Sequence, residues 1–238
     1  RRIDGQFNRW FLDPIYRGEY PADIVEDIRA VDAAAVETFE AAIHDGDLAT
    51  IAQHIDTQGV NYYHGDLVSG AVPENVAVES VPDTERKVRS PYPSFENIHN
   101  VERGLPRTAQ NWEVQPEGLT RLLKRVWTEY AQPAGTVLYM TENGAAYDDV
   151  AVVEDGETRV HDDDRAEFLR LHLAAVLDAA DAGVDVRGYF YWSLFDNYEW
   201  AWGYDKRFGI VRVDYDTQER TLKDSAREYA RIIAARSL

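Results

Sequence analysis

Cysteine is absent from the 238 residues, which excludes a disulfide framework, a thiolate metal site and a thiol nucleophile. A chain without disulfides suits a reducing compartment, and a cytoplasmic location is the expectation. No apolar run approaches the roughly 20 residues that cross a bilayer, and no signal peptide opens the chain. Lysine is scarce too: Lys87, Lys124, Lys206 and Lys223 are the only ones, and arginine carries the remaining positive charge. Lys and Arg together number 25 against 43 Asp and Glu, a formal net charge of −18. Such a surface repels nucleic acid and anionic membrane, so neither is an expected partner. It fits high salt, where screening removes the self-repulsion, and equally a GC-rich genome that favours Asp and Arg over Lys. The chain opens on Arg1-Arg2, which suggests a segment of something longer.

What is present is core material. Hydrophobic residues make up 45% and aromatics 12%, enough to bury a sizeable interior within one domain over residues 1–238. Pro21 before Ile24, Ile28 and Val31 marks a helix start, and residues 46–55 a shorter helix. Residues 57–63 (TQGVNYY) predict a strand. Residues 66–113, rich in Pro, Gly, Ser and Asn, predict loops over a site, with an edge strand or hairpin arm at 75–81. Residues 116–131 predict an amphipathic helix with Leu119, Leu122, Leu123, Val126 and Trp127 inward. Residues 162–182 predict another, with Phe168, Leu171, Ala175, Val176 and Ala179 on one face and Gly183 closing it. Strands follow at 186–196 and in FGIVRVDY (208–215), and a helix from Asp224 ends the chain. This alternation predicts parallel β/α units and a β/α barrel, but only three units are evident, ending at Tyr63, Glu142 and Trp192. A three-stranded arc leaves two edges to be paired.

Two stretches carry chemistry. In TVLYMTENG (136–144) a strand-forming run ends at a carboxylate, Glu142, just before an Asn-Gly turn, which sets the carboxylate at the rim of the sheet. In YWSLFDNYEWAWGYDKRFG (191–209), Trp192 stands at a strand end and Glu199-Trp200 follow, then Trp202, Tyr204 and Phe208. Aromatic faces hold the C–H groups of a pyranose, and a carboxylate among them accepts hydroxyl hydrogen bonds. Core packing would explain any one of these aromatics; interleaved Asp196, Asn197, Glu199, Asp205, Lys206 and Arg207 make a poor core, because buried charges need partners.

YMTENG, WSLFDNYEWAWGYDKRFGIVRVDY, DGQFNRWFLDPIYRGEYP, GVNYY and WEVQPEGL, taken together, resemble glycoside hydrolase family 1, the β-glucosidases and their relatives. They cover Asp4 to about Ile233 in the family's order. The resemblance implies the C-terminal part of a (β/α)₈ barrel, with strands like the sixth, seventh and eighth, and a retaining mechanism in which two carboxyl groups act in turn. It implies Glu142 as nucleophile and Tyr63 as the phenol that hydrogen-bonds it, with Asn61 close by. It also implies Trp192 under the glycone, Glu199 on its outer hydroxyls, Trp200 reaching another, and Phe208 closing the wall. A β-glycoside is the implied substrate, no cofactor or metal is implied, and Glu199 would repel a phosphorylated sugar. The family's acid/base is a Glu in an Asn-Glu-Pro motif, and that motif does not occur in the chain. A complementing N-terminal half is therefore the implied partner; the alternative is a non-catalytic truncated barrel that binds sugar weakly.

Some residues depart from the family pattern. TAQNWEV (108–114) stands where Asp-Met-Gly often precedes the Trp, Met140 replaces Ile or Val, and His64 replaces Thr. His64 and Asp66 predict a solvated loop pair. HDDD (161–164) has the look of a metal cluster but reads better as an acidic helix start, and VEDGE before it as a surface turn.

Overall fold

A computed structural model of the chain describes residues 1–70, 92–95 and 97–238. Its strands are β1 (Thr57–Asn61), β2 (Val68–Ser69), β3 (His99–Asn100), β4 (Val137–Asn143), β5 (Ala151–Glu154), β6 (Glu157–Val160), β7 (Val186–Tyr191), β8 (Val211–Val213) and β9 (Arg220–Leu222). Helix α1 (Arg2–Asp4) runs through a π turn into α2 (Trp10–Arg17), followed by α3 (Ala22–Arg29), α4 (Ala33–Ala41) and α5 (Asp47–Ile51). Helix α6 (Pro116–Val126) continues through a second π turn to α7 (Gln132–Ala134); α8 (Asp163–Asp181) and α9 (Asp224–Ala235) complete the set.

Strands β1, β4 and β7 form one parallel sheet with β4 central, Thr57 opposite Val137 and Leu138 opposite Val186. Parallel neighbours require crossovers, and α6 and α8 supply them. Pro116 opens α6, at a position whose N–H would have no partner inside the helix, while Gly135 in the left-handed region ends α7 and turns the chain into β4. Side chains alternate across β4: Leu138 and Met140 are fully buried beneath α6 and α8 with Val60, Leu119, Leu123, Val126, Ala175, Val176 and Ala179. The opposite face carries Asn61, Thr141 and Phe190, all exposed. Among the described residues nothing pairs with the outer edge of β1, and beyond β7 an isolated parallel bridge joins Phe195 to Val211.

Several expectations shift. The first strand stops at Asn61, and the second runs one residue past Glu142, because Asn143 pairs with Tyr191 in register. The third stops at Tyr191; Ser193 then bonds to Phe208 and Ile210 instead of continuing the sheet. FGIVRVDY holds a strand as expected, the short β8, which pairs antiparallel with β9 outside the parallel sheet. Leu171 is 38% exposed, and His172 takes the inward place. The helical run Arg2–Arg17 and α4 are not among the helices expected from the sequence. VEDGE is the turn of the β5–β6 hairpin. The strand expected at 75–81 lies outside the described residues. No helix among them is long and apolar enough to cross a membrane.

His172 gives the fold a measurable acid sensitivity. It is fully buried, stacks on Phe168 at 3.8 Å, and burial holds its imidazole down at about 4. An unfolded histidine titrates near 6.5, so between those values the unfolded chain binds the extra proton and stability falls as pH drops. In urea denaturation, the loss of stability from pH 7 to pH 4.5 is expected to be about 2 kcal/mol larger in the wild-type chain than in His172→Gln. Equal losses in the two chains would show that the imidazole is not held neutral.

Candidate active site

The site forms where β1 and β4 end side by side. Tyr62 N donates to Glu142 O at 2.9 Å, which aligns the two strand tips and places the next side chain, Tyr63, over Glu142. The Tyr63 hydroxyl donates to Glu142 Oε2 at 2.6 Å, and both side chains are half-buried. Burial raises the Tyr63 pKa, and the Glu142 bond and charge raise it further; Glu199 is near enough to add to the effect. The phenol therefore keeps its proton and remains a donor far into the alkaline range.

Asn143, fully buried, ties the strand tips together. Its Nδ2 donates to Tyr62 O at 2.6 Å, its Oδ1 accepts from the Tyr189 hydroxyl at 2.6 Å, and its carbonyl accepts from Trp192 N at 2.9 Å. Gly144 follows because a Cβ there would lie 1.8 Å from the Trp192 carbonyl oxygen. Glu142 and Trp192 are thus brought to neighbouring strand ends by backbone contact.

An aromatic wall closes one side. Phe208, 3% exposed, meets Tyr63 edge-on at 6.0 Å, and Trp112 lies 5.7 Å from Tyr63 and 6.2 Å from Phe208. His64 stacks on Trp112 at 4.9 Å and its Nδ1 lies 3.2 Å from Asp66. Trp112 and Gln110 were not singled out as site residues from the sequence, although WEVQPEGL and the departure at 108–111 both pointed to that turn. Gln110 donates through Nε2 to Glu199 Oε1 at 3.1 Å. Burial raises the Glu199 pKa and the Gln110 bond opposes that rise.

The expected residues are therefore not equally placed. Tyr63, Glu142, Phe208 and Glu199 converge, and Trp192 adjoins them half-buried. Asn61 stays on the exposed face at the rim, accepting from the Thr141 hydroxyl at 2.7 Å. Trp200 does not join the wall: the residue is 81% exposed, at the head of the short helical turn Trp200–Trp202.

The loop that carries Glu199 is anchored by a buried group of ions. Asp196 accepts from Lys223 Nζ at 2.8 Å, Arg207 at 2.7 Å and Gly209 N at 3.0 Å. Lys223 also binds Asp149, which pairs with Arg165 at 2.8 Å; Arg165 in turn binds Asp162. Asp149, Asp162, Arg165, Asp196 and Lys223 have side chains at most 1% exposed. Three carboxylates thus face three cations, joining the loop after β4, the start of α8, the loop after β7 and the start of α9. HDDD is the start of α8, with Asp163 and Asp164 in its first turn, and His161 binds Glu154 and Asp224. Among the described residues no His, Cys, Asp or Glu group is arranged to hold a metal ion.

Comparison with known proteins gives the family context. The profile of glycosyl hydrolase family 1 matches residues 2–238. Beta-glucosidase A of Thermotoga maritima is 44% identical over 234 residues, covering 98% of this chain and 45% of that protein. A bifunctional beta-D-glucosidase/beta-D-fucosidase of Bifidobacterium breve is 40% identical over 99% of this chain and 48% of its own length. The crystal structure of a psychrophilic beta-glucosidase from Micrococcus antarcticus superposes with a TM-score of 0.88 at 49% identity, over 100% of this chain and 48% of that one. The chain spans about half the length of the relatives it matches.

Proposed function

The chain belongs to glycosyl hydrolase family 1, and from that premise we propose that it supplies the nucleophile side of a retaining exo-β-glycosidase acting on β-glucosides or related neutral sugars. The observation that carries this is the 2.6 Å bond from Tyr63 to Glu142 at the tips of two parallel strands. In a β/α barrel the carboxyl ends of the strands are where catalytic groups stand. On this reading β1, β4 and β7 are the sixth, seventh and eighth strands of the barrel.

Glu142 attacks the anomeric carbon as the bond to the leaving oxygen breaks, giving a glycosyl ester; water then attacks that carbon and frees Glu142. The proton for the leaving oxygen comes from a second carboxyl group about 5 to 5.5 Å away, which later deprotonates the water. The Glu of an Asn-Glu-Pro motif on an N-terminal barrel half fills that role here, and that half pairs with the open edges of β1 and β7. Two carboxyl groups suffice for this chemistry, so no cofactor enters. Trp192 supports the apolar face of the glycone and Glu199 binds its outer hydroxyls; a phosphorylated glycone would meet the Glu199 charge. Phe208 acts from behind Tyr63 and Trp112, and Trp200, beside Glu199, reaches another sugar hydroxyl. The Bifidobacterium relative's name joins glucoside to fucoside, and the same pair of glycones is proposed for this chain.

The test uses an aryl β-glucoside whose good leaving group needs little acid assistance, followed by a 2-fluoro-glucoside. The chain is assayed alone and with an Asn-Glu-Pro half. The expected result is colour release and a glycosyl adduct on the peptide containing Glu142, only in the mixture. An adduct on another residue would overturn the nucleophile, and no adduct in either sample would favour the non-catalytic fragment.

A further inference from the structure

Gln110 lies in the turn Thr108–Trp112, where Thr108 N bonds to Trp112 O at 2.9 Å and Ala109 N bonds to Ala146 O, in the loop after β4, at 2.9 Å. Asn111 adopts φ 65°, a left-handed conformation that Asn tolerates better than most residues. The turn is thus fixed on the same loop that follows the nucleophile strand, and Gln110, 2% exposed, points from it to Glu199. A carboxylate only accepts, so the amide nitrogen must face Glu199 and the amide oxygen must face away. That oxygen is buried without a hydrogen-bond partner among the described residues. An unpaired buried acceptor lowers stability, whereas an unbranched apolar side chain of the same length would fill the position without that penalty. The amide therefore contributes nothing to the interior that an apolar chain would not, except its one bond to the Glu199 carboxylate.

That bond has a geometric consequence. Glu199 stands at the entrance of a short turn, with its backbone N bonded to Gly203 O at 2.6 Å, and a glutamate so placed has several side-chain rotamers open to it. Holding Oε1 selects among them and leaves Oε2 for another donor. We propose that Gln110 is a positioning residue that aims Glu199 at the outer hydroxyls of the glycone, so that preference for a glycone bearing those hydroxyls depends on this amide. The assignment rests on the glycosidase reading and deepens it.

The experiment compares wild-type and Gln110→Met chains, each combined with the Asn-Glu-Pro half, on an aryl β-glucoside and on the β-xyloside, which lacks the outer hydroxymethyl group. Loss of uniform binding raises KM and leaves kcat alone; Gln110→Met is expected to raise KM for the glucoside about tenfold with kcat within about threefold. For the xyloside KM is expected to change less than about threefold, because a contact that Glu199 makes is already missing. The melting temperature of the variant chain is expected to stay level or rise, since the unpaired acceptor is gone. Equal changes for both sugars, no change for either, a lowered melting temperature or a failure to fold would each overturn the assignment. An inactive wild-type mixture would instead overturn the glycosidase reading itself, a result distinct from any of these.

Discussion

In the proposed assembly with an Asn-Glu-Pro half, Glu142→Gln is expected to lower turnover of an aryl β-glucoside by at least about four orders of magnitude, equivalent to raising the barrier by about 5 kcal/mol. The amide has the shape of the carboxylate and can still accept the Tyr63 hydrogen bond made at 2.6 Å, so the strand tips have no reason to move. What it lacks is the negative charge and the ability to form the glycosyl ester, which a retaining mechanism requires before water can act. Binding should be spared, because the groups proposed to hold the glycone are elsewhere: Trp192 after β7 and Glu199 on the loop beyond. Turnover and inhibition by the free sugar, measured on the same samples, separate these effects. Retention of more than about 1% of wild-type turnover would sink the assignment, since no weak nucleophile replaces an absent one that well.

Lys223→Met is expected to have the largest effect on stability, about 3 to 5 kcal/mol, because it breaks a buried ion pair by removing one partner. The lysine side chain is 0% exposed, and its ammonium binds both Asp149 and Asp196. Burial pulls its pKa down, and the nearby Arg165 pulls the same way, while the two aspartates oppose them. Without it, three buried carboxylates face two guanidinium groups. A domain commonly has only about 5 to 15 kcal/mol in hand, so the melting temperature should fall by about 10 °C or more. Adding Asp149→Asn restores the balance of charge, and the double variant is expected to recover part of the loss. A single variant that melts with the wild type would mean that water, not the aspartates, satisfies the ammonium. Asp196 anchors the loop that bears Glu199, so the single variant should also bind glycosides less well.

The sheet was legible because its strands are unusually explicit. TVLYMT and VRGYFYW are apolar runs bounded by Gly or Pro, and each follows an amphipathic helix; β4, β7, α6 and α8 all stand within a few residues of where those patterns put them. Strand ends were less legible, because Asn143 belongs to its strand through side-chain bonds to Tyr62 and Tyr189, which no local pattern reveals. The meeting of Tyr63 with Glu142, residues 79 apart in the chain, followed from motif resemblance and not from periodicity. Gln110 escaped notice for a related reason: its significance lies in a contact with a residue 89 positions away. A tryptophan beside a glutamate gives no indication of which way the turn faces, so the exposure of Trp200 could not be read from the sequence. The three-on-three ion group was invisible for the opposite reason. Asp149, Asp162, Arg165 and Lys223 look like ordinary surface charges in an acidic sequence, and only the fold gathers them around Asp196.

Asn143 bonds at once to the ends of β1 and β7 while being the covalent neighbour of Glu142. To shift by about half an ångström, the carboxylate must carry a joint of three strands with it or rotate alone about its own side-chain bonds, against the hold of Tyr63 on one oxygen. Glu142 therefore sits at a joint of three strands, while Glu199 stands within a turn whose ends, Asp196 and Arg207, are fixed to the buried ions, and its own carboxylate takes a bond from Gln110. The two carboxylates differ in what must give way before they can shift: for Glu142 the joint of three strands, for Glu199 one amide and the turn that carries it.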